Sequence, residues 1–323
     1  MNQIHLLKIS ARAAGILILA FFWTAPLPAD TNKPYDLVNP LTQYYQFKEL
    51  RPFKKQVESL VDDIQRKNPK IVYVTVYFRN LNDGIWFGIN EKQCFIPASL
   101  LKVPVMMAVL KIAEKDPSVL DRQLECHIPP SPVSPPELKK GRMYSVDTLL
   151  EYMIRYSDNT PLQILASAFP QEIASTYKDL GIPMSNNPEE EIFSIKDIAR
   201  FLRVLYNASY LNKEMSWKAL HFLSQNTFVE GIRGGVPSGT RVANKYGSRI
   251  INKGEIMEIH EAAIVYYPGN AYLIAVSLRE DNSKDYKKTY RKLVLLIAEI
   301  SRLIYNELDS QYKEIKPTYE IQE

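Results

Sequence analysis

A serine and a lysine stand three residues apart in the segment Pro97-Ala98-Ser99-Leu100-Leu101-Lys102, where an apolar helix is predicted to begin. Residues with this spacing lie on one helix face, one turn from each other. A serine hydroxyl attacks a carbonyl once a base takes its proton, and lysine is such a base if burial and nearby positive charge lower its pKa. Ser99 and Lys102 are therefore a candidate nucleophile and base, although the same spacing also occurs as a helix cap beside a solvated lysine.

Two later segments carry groups that suit the same chemistry. Ser157-Asp158-Asn159 falls between two predicted helices, on a loop that can present short polar groups to a cleft. Lys245-Tyr246-Gly247 falls on a predicted strand, where a glycine lets a substrate backbone or carboxylate approach the strand edge. Alone, the first also reads as a helix cap and the second as a protective lysine on an edge strand. Their occurrence in this order, each on a suitable element, favours one shared active site.

Hydrophobic periodicity predicts the elements that would position these segments. A helix over residues 53–67 and a strand hairpin over 71–89 open the fold, and a buried helix covers 99–115. Strand patterns return near the end of the chain, at 241–245, 258–267 and 271–278, before a final helix over 285–308. The middle of the chain is predicted to be helical, over 146–156, 161–168, 171–180, 195–206 and 213–224.

This order of elements predicts an α+β fold, an α/β sandwich in which an antiparallel sheet built from both chain ends is flanked by helices. An all-helical lobe at about 116–226 is inserted into the catalytic domain, which we place at 47–309. An extended lead-in at 30–46 would precede the domain, and a charged tail at 310–323 would follow it. The crevice between sheet and lobe is the expected small-molecule site.

The start of the chain has the pattern of a secretory signal, because Lys8 and Arg12 precede an apolar run from Ala13 to Trp23 that is too short to cross a bilayer. We expect residues 1–29 to be a signal peptide or, alternatively, an uncleaved anchor. Either places the catalytic part outside the cytoplasm, periplasmic or extracellular. In the mature form, from which a signal peptide has been removed, no stable membrane span is expected. A net charge of +4 with interleaved signs argues against a nucleic-acid partner. We expect a monomer.

Cysteine and histidine usage gives no framework for a metal. Export would permit a disulfide between Cys94 and Cys126, but the sequence leaves their pairing open. The four histidines are scattered without ligand spacing, so neither a metal nor another cofactor is expected. Two polar residues that follow the third segment, His260 and Glu261, are predicted to pack or hydrogen-bond rather than to catalyse.

The three segments resemble the motif set of the class A β-lactamase-like serine hydrolases, which reads S-x-x-K, S-D-N and K-[ST]-G. The resemblance covers about residues 47 to 309. It implies a penicillin-recognising serine enzyme with a β-lactamase/transpeptidase-like fold, whose substrate is a small β-lactam or a peptidoglycan stem peptide.

The resemblance also implies a role for each matched residue. Ser99 would attack the carbonyl and Lys102 would accept its proton. Ser157 would pass a proton to the leaving nitrogen. The substrate would be held by Asn159, Lys245, Gly247 and Ser248, and the oxyanion hole would be formed by the backbone N–H groups of Ser99 and Ser248.

Two departures from the family pattern leave the fate of the acyl-enzyme open. Class A enzymes carry an E-x-x-L-N glutamate on an Ω-shaped loop that activates the deacylating water, and this chain has no such segment between residues 157 and 245. A shortened loop with the acidic run Glu189–Glu191 stands there, and we expect it to be a solvated loop. Tyr246 also replaces the Ser or Thr of the third motif, and its bulky phenol cannot place a hydroxyl where theirs would be.

Three functions therefore compete. The first is a class A-like β-lactamase that hydrolyses its acyl-enzyme. The second is a penicillin-binding DD-carboxypeptidase-like enzyme, or a slow serine hydrolase without the loop glutamate. The third is a non-catalytic cell-wall binding protein that kept only the cleft.

Overall fold

The computed structural model describes residues 51–182 and 193–315. The predicted leader, the lead-in and the acidic run Glu189–Glu191 lie outside the described residues. The strands are, in chain order, β1 (Ile71–Asn80), β2 (Trp86–Ile89), β3 (Cys94–Phe95), β4 (Gln123–Glu125), β5 (Met143–Ser145), β6 (Phe193–Ser194), β7 (Val242–Ile251), β8 (Ile256–Val265) and β9 (Tyr272–Glu280).

Five strands form the main sheet, in the order β2-β1-β9-β8-β7. Every neighbouring pair is antiparallel, and β1 from the start of the fold pairs with β9 from its end, with Thr75 opposite Ser277. The central strands are buried along nearly all their length, which is why they read as apolar, β-branched runs. The predicted antiparallel sheet built from both chain ends is confirmed.

Helices cover both faces of this sheet. They are α1 (Arg51–Lys67), α2 (Lys102–Ala113), α3 (Val146–Arg155), α4 (Asn159–Ala168), α5 (Pro170–Asp179), α6 (Ile195–Tyr206), α7 (Lys213–Ser224) and α8 (Tyr286–Ile315). On one face α1 and α8 pack against the sheet and each other. On the other face α6 lies against the sheet, and α2 to α7 share a second core that forms the helical lobe. The boundary between the two cores is the sheet itself.

Three differences from the predicted elements have local causes. The lobe contains one short strand pair, β4 with β5, so it is not entirely helical. Strand β7 continues beyond the predicted end at residue 245 to Ile251, because it stays paired with β8 up to a turn at Asn252–Gly254. Helix α8 continues beyond Leu308, its last buried apolar residue, and Tyr267 donates a hydrogen bond to Asp309 in this extension.

The two cysteines are free thiols in the structure, which does not form the disulfide that export would permit. Cys94 is exposed on β3, whereas Cys126 is buried in the core of the lobe. None of the helices in the described part of the chain combines the length and the apolar character that crossing a membrane requires.

Candidate active site

The candidate nucleophile lies on a tight turn directly before a buried helix. Ser99 belongs to a 3-10 turn over Ala98–Leu101, and α2 starts at Lys102. The sequence predicts Ser99 inside the helix itself, so the turn is a correction. Ala98 has a φ of +48°, in the left-handed region that side chains with a Cβ rarely adopt. Strain of this kind persists where the surrounding structure imposes it, commonly at functional sites.

Lys102 joins the turn to the helical lobe. Its Nζ donates hydrogen bonds to Ser99 Oγ at 2.7 Å and to Asn159 Oδ1 at 2.6 Å. The side chain is buried, and burial lowers the pKa of Lys102 to about 8, while the negative charge of Asp158 acts in the opposite direction. At neutral pH a usable fraction of Lys102 is therefore the free amine, which can take the Ser99 proton.

The Ser-Asp-Asn loop is held by its central residue. Asp158 caps α4, since its Oδ1 accepts hydrogen bonds from Thr160 N at 2.9 Å and from Ser131 Oγ at 2.6 Å. The contact with Ser131 ties the Pro-rich segment of the lobe to the loop. Ser157 has a φ of +57°, a second left-handed residue at the site. With Asp158 fixed, its two neighbours Ser157 and Asn159 reach the two lysines.

The second lysine closes the site from the sheet side. Lys245 on β7 is completely buried, and its Nζ donates hydrogen bonds to Ser157 Oγ and to the Tyr246 carbonyl, each at 2.8 Å. Burial lowers the pKa of Lys245 well below its usual value, the charge of Lys102 lowers it further, and Glu261 opposes both. Ser99, Lys102, Asn159, Ser157 and Lys245 are thus connected in one site.

Gly247 is required by the close approach of β7 to the nucleophile turn. A Cβ at this position would lie 2.8 Å from Pro97 O and 3.0 Å from Ser99 N, closer than side chains tolerate against backbone. The missing side chain lets the strand backbone, with Ser248 next in line, run beside the backbone of Ser99. The two predicted oxyanion donors are therefore on adjacent segments.

Tyr246 lies on the other face of the sheet from its neighbours Lys245 and Gly247, as strand alternation requires. Its ring stacks on Phe228 with centroids 4.1 Å apart. Lys245 Nζ lies 4.6 Å from the centroid of the Tyr246 ring and bonds the Tyr246 carbonyl. Tyr246 thus supplies its main chain and its ring face to the lysine.

Residues that sequence reasoning left out of the site surround its sheet side. On β8, opposite Tyr246, the buried Glu261 accepts a hydrogen bond from Asn244 Nδ2 at 2.8 Å. A polar residue inside an otherwise apolar strand is the sequence signal that could have predicted these residues. His260 stacks on Phe95 with ring centroids 4.1 Å apart, and its Nδ1 lies 2.6 Å from Ser277 Oγ, in agreement with the predicted packing role. Among the described residues, no group of three or more potential metal ligands is assembled.

A serine held by one buried lysine, beside a second serine held by another, is the arrangement that serine acyl-transfer chemistry needs, and it lies at the junction of a sheet and a helical lobe. A family model described as the beta-lactamase enzyme family matches residues 52–308. The chain therefore belongs to this family, and it is a serine hydrolase of the β-lactamase type. The resemblance inferred from the three motifs is confirmed.

Individual relatives are distant in sequence. The beta-lactamase VEB-1 of Pseudomonas aeruginosa is 24% identical over 263 residues, covering 74% of this chain and 86% of the relative. A class A beta-lactamase structure from Bacteroides cellulosilyticus superposes with a TM-score of 0.68 at 23% identity, covering 80% of this chain and 98% of the other. A penicillin G acyl-enzyme complex of a PBP-A mutant gives 0.65 at 20% identity, covering 81% and 98%. These structures support the fold.

Proposed function

We propose that this chain forms an acyl-enzyme on Ser99 with β-lactams or D-Ala-D-Ala-like peptides. The observation that carries the proposal is the contact between Lys102 Nζ and Ser99 Oγ, together with the lowered pKa of Lys102. The free amine of Lys102 takes the hydroxyl proton as Ser99 Oγ bonds to the substrate carbonyl carbon. Asn159 holds the amine in line, because its amide oxygen accepts a second N–H from Lys102.

The negative charge that develops on the carbonyl oxygen needs donors that are already in place. We assign this role to the backbone N–H groups of Ser99 and Ser248, on the two segments that Gly247 lets approach each other. Donors of this kind are each worth about 3 kcal/mol of transition-state stabilisation.

Collapse of the tetrahedral intermediate breaks the C–N bond, and the leaving nitrogen takes a proton from Ser157. Ser157 regains a proton from the protonated Lys102, so the proton that left Ser99 ends on the leaving nitrogen and Lys102 is again a free amine. Lys245 supports this step, since its ammonium donates to Ser157 Oγ and would bind the carboxylate that β-lactams and D-Ala-D-Ala termini share. The role of Lys245 requires a protonated amine, while the role of Lys102 requires a neutral one. Burial of both lysines beside each other favours this division, because two neighbouring positive charges destabilise each other.

Hydrolysis of the acyl-enzyme needs a base for water. Asp158, the carboxylate that acts on the charge of Lys102, is fully buried and uses its Oδ1 to hold Thr160 N and Ser131 Oγ. The E-x-x-L-N segment is missing from the sequence, and the acidic run Glu189–Glu191 stands in its place. We infer that acylation is faster than deacylation, which makes the acyl-enzyme the species that accumulates.

Intact-protein mass spectrometry after exposure to penicillin G tests the proposal. We expect the mass of the wild-type protein to increase by one penicillin, and this adduct to decay over time as the ester is hydrolysed. Ser99→Ala should show no such increase. A matched control is Ser209→Ala, an exposed serine after α6 whose hydroxyl donates to Val204 O and which the mechanism leaves out. Equal labelling of wild type and Ser99→Ala would refute an acyl-enzyme on Ser99 and favour a binding-only protein. An adduct that never decays would favour a penicillin-binding, DD-carboxypeptidase-like enzyme instead.

The predicted export belongs to the same proposal, because peptidoglycan peptides and incoming β-lactams are met outside the cytoplasm. Fractionation of cells that make the full chain tests it: we expect penicillin-reactive protein in the envelope or medium. Its retention in the cytoplasm would contradict the predicted leader.

A further inference from the structure

A row of polar side chains crosses the sheet and ends at the turn that carries Ser99. Thr75 of β1 is opposite Ser277 of β9, and Ser277 is opposite His260 of β8. Gly247 of β7 continues the row, opposite His260. Directly opposite residues share a face of the sheet, so the row lies on the face that also carries Lys245, two residues before Gly247. The three side chains are wholly buried in strands that are otherwise largely apolar.

His260 is the member of this row that contacts the chain leading to the nucleophile. Its Nδ1 lies 2.6 Å from Ser277 Oγ, which fixes the orientation of the imidazole. The ring stacks on Phe95 with centroids 4.1 Å apart. Phe95 is itself wholly buried and stands four residues before Ser99. A hydrogen bond on one side and a ring contact on the other therefore join the centre of the sheet to the start of the nucleophile segment.

The turn at Ser99 depends on this support from the sheet. Its own hydrogen bond runs from Leu100 N to Pro97 O at 3.0 Å, and Ala98 has a φ of +48°. Backbone strain of this kind persists when the surroundings impose it. Two neighbouring positions of the sheet meet the segment: His260 at Phe95, and Gly247 at the Pro97 carbonyl and the Ser99 N–H. The sheet thus holds the segment at both its start and its end.

We propose that His260 is a positioning residue for Ser99: locked by Ser277, its ring holds Phe95 and thereby sets where the Ser99 hydroxyl and N–H lie. The inference rests on the proposed function, in which Ser99 is the nucleophile. His260 acts through Phe95 and the turn rather than on the reacting atoms. Burial lowers its pKa to about 3, so the ring is neutral wherever Lys102 can act as the base. An apolar ring could fill the same space, but Ser277 could not lock it, which gives the buried imidazole its reason.

The test is the rate of penicillin G labelling as a function of penicillin concentration in His260→Phe. This variant keeps an aromatic ring of similar size against Phe95 and loses the atom that contacts Ser277. The plateau rate should fall by about 10-fold or more, because small misplacements of reacting groups are costly. The half-saturating concentration should stay within about twofold, since Lys245 and Asn159 are untouched. An activated ester without a carboxylate should lose the same factor, because both acyl donors react with Ser99.

Ser277→Ala tests the same lock from its other side and serves if His260→Phe does not fold. It should lower the plateau rate in the same way, and the double variant should lose no more than the larger single loss, because both changes break one contact. Thr75→Val is the matched control from the same buried row. The Thr75 hydroxyl forms no hydrogen bond in the structure, so this nearly isosteric change should leave both kinetic constants at their wild-type values.

Three outcomes would overturn the inference. The first is labelling of His260→Phe and Ser277→Ala at the wild-type plateau rate. The second is a loss that matches the unfolded fraction measured by denaturant unfolding, and the third is an equal loss in Thr75→Val, since each of these assigns the row to packing alone. Failure of the proposed function is distinguishable, because the wild-type protein would then show no Ser99-dependent labelling with either acyl donor.

Discussion

The two buried lysines of this site have the same side chain but opposite proposed roles, Lys102 as a base and Lys245 as a cation. Lys102 begins a helix and contacts Ser99 Oγ and an amide oxygen, whereas Lys245 lies within a strand and contacts Ser157 Oγ and a carbonyl. Burial lowers the pKa of both. Burial alone therefore does not decide which lysine is the base.

The contacts of the two lysines are alike in kind, since each Nζ donates to one serine hydroxyl and one carbonyl oxygen, and each lysine has one acidic residue, Asp158 or Glu261, that opposes the effect of burial. The lysines differ in the serine that they hold. Lys102 contacts the proposed nucleophile Ser99, so its neutral amine can serve as the base, while Lys245 keeps the positive charge that a substrate carboxylate needs. Because the two charges repel, their protons leave in steps that belong to the pair. The predictions below separate the two members.

Replacing the base should have the largest effect. Lys102→Met keeps the length of the side chain but removes the amine, and acylation by penicillin should fall by about 10²–10⁴-fold. The unfolding free energy should stay the same or rise, since an apolar group replaces a buried polar one. Single-turnover labelling and thermal unfolding check the two parts. Labelling at the wild-type rate would assign the base to another group.

A side chain added between β7 and the turn that carries Ser99 should have the second largest effect on acylation. Gly247→Ala forces the strand away from Ser99 N and displaces an oxyanion donor, so acylation should fall by about 10²–10³-fold. Gly239→Ala is the control, because a methyl group added at that exposed glycine would have no neighbouring atom within 4 Å and only a positive φ of +89° to strain. If both variants lose the same activity, the close approach is not what Gly247 provides.

Removing the charge of Lys245 should lower the acylation rate by a smaller factor, and that factor should depend on the substrate. Lys245→Met removes one charge-assisted interaction, worth about 1.5–3 kcal/mol, so acylation by a carboxylate-bearing β-lactam should fall by about 10- to 100-fold. An activated ester without a carboxylate should lose less, because only the contact with Ser157 is gone. Equal losses for both acyl donors would show that Lys245 does not recognise the carboxylate.

The charge state of Lys102 should appear in the pH profile. With a pKa of about 8, its neutral fraction grows about tenfold per unit from pH 6 to pH 7 and levels off above pH 8. The acylation rate should follow this rise, and the residual rate of Lys102→Met should not. A wild-type rate that is flat between pH 6 and pH 8 would contradict Lys102 as the base.

The sequence predicts this site better than it predicts the reasons for its geometry. Helices α6 and α7 have the predicted bounds because their apolar spacing and N-terminal caps are local signals. The identity of the two lysines follows from motif order. The 3-10 turn at Ser99 and the buried carboxylate of Glu261 depend on contacts between distant segments, such as Gly247 with Pro97 and Glu261 with Ile232, and no local pattern encodes them.

His260 is a third buried basic side chain, and it shows how burial changes a pKa when no anion lies beside the group. His260 lies beneath the nucleophile turn, stacked on Phe95, and burial lowers its pKa to about 3. The unfolded chain takes up the imidazole proton near pH 6.5 but the folded chain does not, so stability is present above pH 6.5 and is lost as the pH falls. The loss is up to about 1.4 kcal/mol per pH unit. Denaturant unfolding of wild type and His260→Gln between pH 7 and pH 4 measures it: the variant, which keeps a partner for Ser277, should lose less stability over this range, and equal slopes would mean that His260 takes up its proton in the folded protein.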